Sequence, residues 1–179
     1  FTMEELIEAF SLEKVSKSGA RFSHDKAKWF NAQYMKRADD KSLAPGLQKM
    51  LSEKGIDTTL ERAEKAVSLI KERATFPADL LGLTLYMFEA PTQYDEKSVN
   101  KFWKSENVSK LVELREQLAK EEAIVASETE PRIHDWVVAN QYSMGQLMNT
   151  LRIAILGVSQ GPSIFDICEF IGKEEALQR

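Results

Sequence analysis

Between residues 151 and 171 the chain carries two apolar runs separated by one turn. The first, Leu151-Arg152-Ile153-Ala154-Ile155-Leu156, holds a single cation and stops at Gly157. The second begins with Ile164 and Phe165, directly after Gly161-Pro162-Ser163. Ser163, with Asp166 three residues on, has the form of a helix N-cap followed by an acid in the first turn. Gly172 stops that helix, and Lys173-Glu174-Glu175 opens a last polar one. The pattern places the Arg152 cation and an apolar tip, Ile164, on either side of a rigid turn, with Ile164 at the surface.

The rest of the chain reads as helix too. No stretch alternates apolar and polar residues for long enough to predict a sheet. Thr2-x-x-Glu5 has capping-box spacing ahead of Leu6, Ile7 and Phe10. Ser23 can cap a helix that carries Trp29, Phe30 and Tyr34, ringed by Lys26, Lys28, Lys36 and Arg37. Asp39-Asp40 and Ala44-Pro45-Gly46 are expected to break the chain before a short helix with Leu47, Met50 and Leu51. Thr58-x-x-Glu61 reads as a second capping box, with Leu60, Ala63, Val67 and Ile70 behind it at helical spacing. Thr75-Phe76-Pro77 restarts the chain as a helix with Asp79 in its first turn and Leu80, Leu81, Leu83 and Leu85 largely buried. The apolar pattern pauses near Pro91 to Glu96. A basic-aromatic segment follows at 97–104, then a helix with Val108, Leu111 and Leu118, and another opening near Pro131. The prediction is an all-α chain: a linker or tail over 1–22, a first helical subdomain over 23–95 and a second over 96–179.

Composition narrows the function classes. The 179 residues are 43% hydrophobic and 29% charged, as in a folded domain rather than a disordered one. No apolar run reaches the ~20 residues of a membrane helix, and the acidic start (Glu4, Glu5, Glu8) does not resemble a signal peptide. The first residue is Phe1 rather than Met, so the chain is expected to be a piece of something longer. One cysteine, Cys168, lies in an apolar helix and is expected to be a buried, reduced thiol in a cytoplasmic protein. The net charge of −4 is not that of a general nucleic-acid binder. It is compatible with a site that reads splayed-out bases through few phosphate contacts.

Reactive constellations are missing from the sequence. His24, His134 and Cys168 are too few and too far apart for zinc-ligand spacing. Acid pairs such as Glu121-Glu122, Glu128/Glu130 and Glu174-Glu175 read as solvated charges, and the glycines are scattered rather than gathered in a phosphate loop. What remains is polar residues beside turns. Arg73 either interacts with carbonyls at a helix C-terminus or faces a ligand. Arg152 either snorkels, pairs with a carboxylate such as Asp166, or is a binding cation. Trp29, Phe30 and Tyr34 form either a core-facing stripe with a solvated basic rim or a contact surface, and Ile164 either joins the core or contacts a ligand. Two function classes fit these residues: an RNA-binding module and a helical protein–protein interaction module with no RNA role.

Several motifs favour the first. F-S-L-E-K-V at 10–15, K-x-G-A-x-F at 17–22 and K-x-x-W-x-N-x-x-Y at 26–34 resemble the segment that joins the catalytic half of bacterial glutamyl-tRNA synthetases to their anticodon half. R-x-A-I-x-G at 152–157, G-P-S-I-F-D-I at 161–167 and I-G-K-E at 171–174 resemble that family's C-terminal end, with Ser163 where many members carry glycine. The resemblance runs along essentially the whole chain, through a middle part that matches as a helical pattern around Lys71-Glu72-Arg73. The two ATP-site signatures of class I synthetases are absent; Ser16-Lys17-Ser18 is a faint echo of one, displaced downstream.

The resemblance implies the anticodon-binding part of a glutamate–tRNA ligase, catalytically inactive alone and without a cofactor of its own. ATP and Mg would serve the missing half, which activates glutamate and transfers it to tRNA. The implied partner is tRNA(Glu), through its anticodon loop and inner corner, with the protein a monomer. Arg73 would read the third anticodon base, and Arg152 and Ile164 would contact the other two. Asn31 and Tyr34 hold motif positions facing the inner corner, with Lys28 on phosphates. Glutamate anticodons end in C, and cytosine offers adjacent O2 and N3 acceptors to the donor-only guanidinium fork. Uracil and guanine place an N–H at the corresponding ring position, leaving buried donors unpaired.

Overall fold

The computed structural model describes residues 1–15, 18, 19 and 21–179. Ser16 and Lys17 of the displaced ATP-site echo, and Lys17 and Ala20 of the K-x-G-A-x-F motif, lie outside the described residues. Among those described, secondary structure is helical throughout: α1 (Met3–Ala9), α2 (His24–Arg37), α3 (Asp40–Glu53), α4 (Leu60–Ile70), α5 (Asp79–Phe88), α6 (Glu96–Phe102), α7 (Ser105–Ala119), α8 (Ala126–Ala139), α9 (Met144–Leu156), α10 (Ile164–Ile171) and α11 (Lys173–Gln178). Short 3-10 turns occur at Leu12–Lys14 and Lys71–Arg73. None of the helices is long and apolar enough to cross a membrane.

Local signals set most of the helix ends. Thr2 and Glu5 close a reciprocal capping box on α1, Ser23 accepts from Lys26 N–H on α2, and Ser163 accepts from Asp166 N–H on α10. Gly157 ends α9 in the left-handed region at φ 77°. A Cβ there would also lie 2.6 Å from the Gln93 carbonyl oxygen, so this glycine allows both the turn and the close approach of a second backbone. Three expectations fail. Thr59, not Thr58, caps α4, its hydroxyl accepting from Arg62 N–H, while the Thr58 carbonyl accepts from Gln48 Nε2 at 2.8 Å. α3 runs straight through Ala44-Pro45-Gly46, with Ala44, Leu47 and Leu51 fully buried. α8 begins at Ala126 rather than near Pro131, because the Glu169 carboxylate and Thr129 hydroxyl take the N–H groups of Ala126 and Val125. Each proline sits in the second turn, where one forfeited bond is outweighed by the burial that continuing the helix provides.

One continuous apolar core runs from Met35 to Ala176. α3, α4 and α5 pack together in the first half, and α7, α8 and α9 in the second. α10 touches α4, α5, α8, α9 and α11, so it joins the halves. Phe88 of α5 meets Phe170 of α10 edge-on at 5.5 Å, and the Arg62 guanidinium lies 4.3 Å from the Phe170 ring centroid. Arg179, with its side chain 4% exposed, pairs with Glu175 and donates to the carbonyls of Tyr86 and Ile155. The cation that ends the chain therefore bridges α5 and α9.

Candidate nucleic-acid interface

Arg73 and Arg152 come from different halves and meet at one turn. Arg73 Nη2 donates to the Gly161 carbonyl at 2.6 Å. Arg152 Nη1 donates to the next carbonyl, Pro162, also at 2.6 Å. Two of the local explanations do not hold. Arg73 does not serve the end of its own helix, and the Arg152 bond is to a main-chain oxygen rather than to Asp166. Among the described residues, neither arginine has a carboxylate at ion-pair distance. Half-burial, and then the Arg73 charge beside it, lower the pKa of Arg152. Guanidinium remains a cation under such a perturbation, so the turn holds two neighbouring positive charges. One of the five N–H donors of each goes to the turn, which leaves donors for a ligand.

Tyr86 of α5 lies beside both cations. Burial pushes its hydroxyl up to about 12, against the opposing pull of Arg73 and Arg152. With Arg73, Glu89, Leu83 and Gly161 it lines an open groove of about 970 Å³ between α5 and the segment after α9. The two carbonyls and Tyr86 were invisible to sequence reasoning. Carbonyls carry no residue signature, and Tyr86 sits in an apolar run that reads as core.

Around Arg73 the chain is tied to α2. The Asn31 side-chain amide donates to the Thr75 carbonyl, and Lys71 Nζ donates to the Ala38 carbonyl at 2.9 Å. The Asp79 carboxylate accepts from the N–H groups of Thr75 and Phe76, fixing the turn after Arg73. Lys28, Asn31 and Tyr34 follow at intervals of three and form one stripe of α2. Lys28 and Tyr34 are exposed, while Asn31 is half-buried by its tie to Thr75. Trp29 and Phe30 are exposed as well, so the core-facing stripe is not what α2 forms; only Met35 of that helix is buried. Lys26 Nζ stands 5.9 Å from the Phe30 ring centroid.

Ile164 departs from expectation. It is 3% exposed, because Ser163 caps α10 and Ile164 is its first helical residue, on a helix covered by five others. The turn thus brings Arg73 and Arg152 together at the surface and leaves Ile164 beneath it. Cys168 is buried, and burial raises its thiol to about 12. No group of three or more potential metal-ligating side chains occurs among the described residues.

A family model described as an anticodon binding domain matches residues 25–179. The glutamate–tRNA ligase of Porphyromonas gingivalis is 42% identical over 178 residues, which cover 99% of this chain and 35% of that protein. That of Flavobacterium johnsoniae is 42% identical over 179 residues, 100% of this chain and 36% of that protein. Among solved structures, a glutamate tRNA ligase from Elizabethkingia meningosepticum in complex with its amino acid matches with a TM-score of 0.87 and 38% identity, over 99% of this chain and 35% of that one. The glutamate-tRNA synthetase from Elizabethkingia anophelis gives 0.84 and 36%, over the same shares. The chain spans about a third of the length of these relatives. By the match over residues 25–179, it belongs to the anticodon-binding domain family.

Proposed function

We propose that this chain binds the anticodon loop of a glutamate-accepting tRNA, as the anticodon-reading part of a glutamate–tRNA ligase. The observation that carries the proposal is the convergence of Arg73 and Arg152 on the Gly161 and Pro162 carbonyls, with no carboxylate at ion-pair distance from either among the described residues. Two cations held by neutral oxygens, rather than neutralised in ion pairs, attract an RNA loop. Arg73, exposed at the groove, offers its remaining N–H groups to O2 and N3 of the third base, and Arg152 serves a neighbouring base. Ile164 acts from beneath, holding the turn by its packing rather than offering a stacking surface. Lys28 and Tyr34 on α2 face the inner corner of the tRNA, with Asn31 setting that helix against the Arg73 turn. Residues 23–95 and 96–179 are the two subdomains of the site. The protein works as a monomer in the cytoplasm. ATP and Mg belong to the ligase chemistry of the part that the relatives have beyond this match.

Titration of the chain with a glutamate anticodon stem-loop at low salt tests the proposal. Binding should be weak, fall with added salt, and prefer C over G at the third anticodon base by about 1–3 kcal/mol. Arg73→Ala should abolish that preference. Equal binding of both loops by the unaltered chain would remove base reading from Arg73, and no binding would favour the protein-interaction module.

A further inference from the structure

The segment between α9 and α10 is pinned at four points. Asp95 N–H donates to the Gly157 carbonyl at 2.8 Å. The hydroxyls of Ser98 and Ser159 lie 2.8 Å apart and share one hydrogen bond. Arg73 and Arg152 hold the Gly161 and Pro162 carbonyls. The first two pins come from the start of α6, and they hold the segment where the Gly157 Cα approaches the Gln93 backbone.

Ser98 is the unusual member. It is 8% exposed, and its own N–H is taken by the Asp95 cap at 2.7 Å. A helical serine commonly returns its hydroxyl to the carbonyl one turn back. The Ser98 hydroxyl, which also meets the Asp95 carboxylate of its own cap, bonds the hydroxyl of a residue 61 positions away, two residues before the carbonyl that Arg73 holds. We propose that Ser98 is a positioning residue for anticodon reading, a role that rests on the reading of Arg73 and Arg152 proposed above. By holding Ser159, it sets where the Gly161 and Pro162 carbonyls present the two guanidiniums. Forked recognition of a base edge tolerates errors of only about 0.5 Å, so slack at Ser159 costs selectivity. The α9–α10 segment is a preformed jig, and the reading arginines take their aim from it.

The test uses the 179-residue chain with Ser98→Ala, Ser159→Ala and the double variant. Without RNA, amide exchange at Ser159, Gln160 and Gly161 should quicken by roughly five- to tenfold in each single variant, and no further in the double. Exchange within α7 and α10 should stay unchanged. With the stem-loops, the ratio of C-loop to G-loop affinity should fall severalfold in the same three proteins. Unchanged exchange in both single variants overturns the role of Ser98. So does quickened exchange with an unchanged affinity ratio, because the bond would then be structural only. An unaltered chain that does not distinguish the two loops overturns the reading of Arg73 instead, and with it any positioning role.

Discussion

Leu6, Ile7, Phe10, Leu12, Phe22 and Trp29 lie in the first 30 residues and are 49 to 78% exposed, whereas Ile153, Ile155, Ile164, Phe165, Ile167 and Phe170 are 7% or less. Both regions are rich in large apolar side chains, and their fates diverge because of what surrounds them. In residues 151–171 the apolar positions form runs on two helices that meet neighbours on almost every side. In α1 and the turn after it they stand in ones and twos among Glu4, Glu5, Glu8 and Glu13, and neither that seven-residue helix nor the turn has a buried residue. Such a helix is too short to be stable by propensity, and it is closed at its N-terminus by a capping box. α2 differs again, carrying its exposed rings among lysines. Apolar pattern reports what a segment could bury, and only the neighbours decide whether it does.

The contrast is broken most severely by Ile167→Ala. Ile167 is fully buried on α10, the helix that joins the halves, so the truncation should cost about 3 kcal/mol through lost transfer energy and the cavity left behind. Urea unfolding followed by circular dichroism measures it. A loss under about 1 kcal/mol would mean that α10 repacks freely and does not serve as the joint.

Much of this region could be read from the sequence because its signals are local. Ser163, Gly157 and Gly172 mark helix ends by backbone geometry, and Cys168 within an apolar run could only be buried. The failures share a different cause. Pro45 and Pro131 look like breaks, yet long-range burial carries both helices through them. Trp29, Phe30 and Tyr34 look like core, yet no helix among the described residues buries them. Ile164 looks like a tip because it follows a turn, and five other helices cover the helix it begins. For the site, the two arginines could be named from sequence, while their acceptors could not: they are main-chain oxygens, one of them 88 residues from its donor.

A smaller effect sharpens the comparison from the buried side. The Cys168 thiol is raised from 9.0 to about 12 by burial. A raised folded-state value means that the unfolded chain releases its proton first, so the associated stability is complete below pH 9 and is lost as pH rises toward 12. Near pH 10 the loss should be about 1.4 kcal/mol, and Cys168→Ala should be free of that part of the pH slope. Unfolding curves of the two proteins at neutral pH and near pH 10 separate this contribution from other titrating groups. Parallel pH slopes would mean that the thiol meets water in solution.

The smallest expected effect bears hardest on the comparison. Ile7→Ala and Trp29→Ala each remove as much or more apolar side chain than Ile167→Ala, from positions 70% and 58% exposed. If solvent already reaches these side chains, folding gains little from them, and each variant should lie within about 0.5 kcal/mol of the parent in the same urea experiment. The charges point the same way, since glutamates beside Ile7 and lysines beside Trp29 keep both segments hydrated in the isolated chain. A cost of about 2 kcal/mol for either variant would place its helix against the core in solution and dissolve the distinction between the regions. Near-zero costs beside a large one for Ile167 would show that equal hydrophobicity has been put to two uses. Residues 151–171 hold the fold together, and α1 and α2 leave apolar surface free to meet something else.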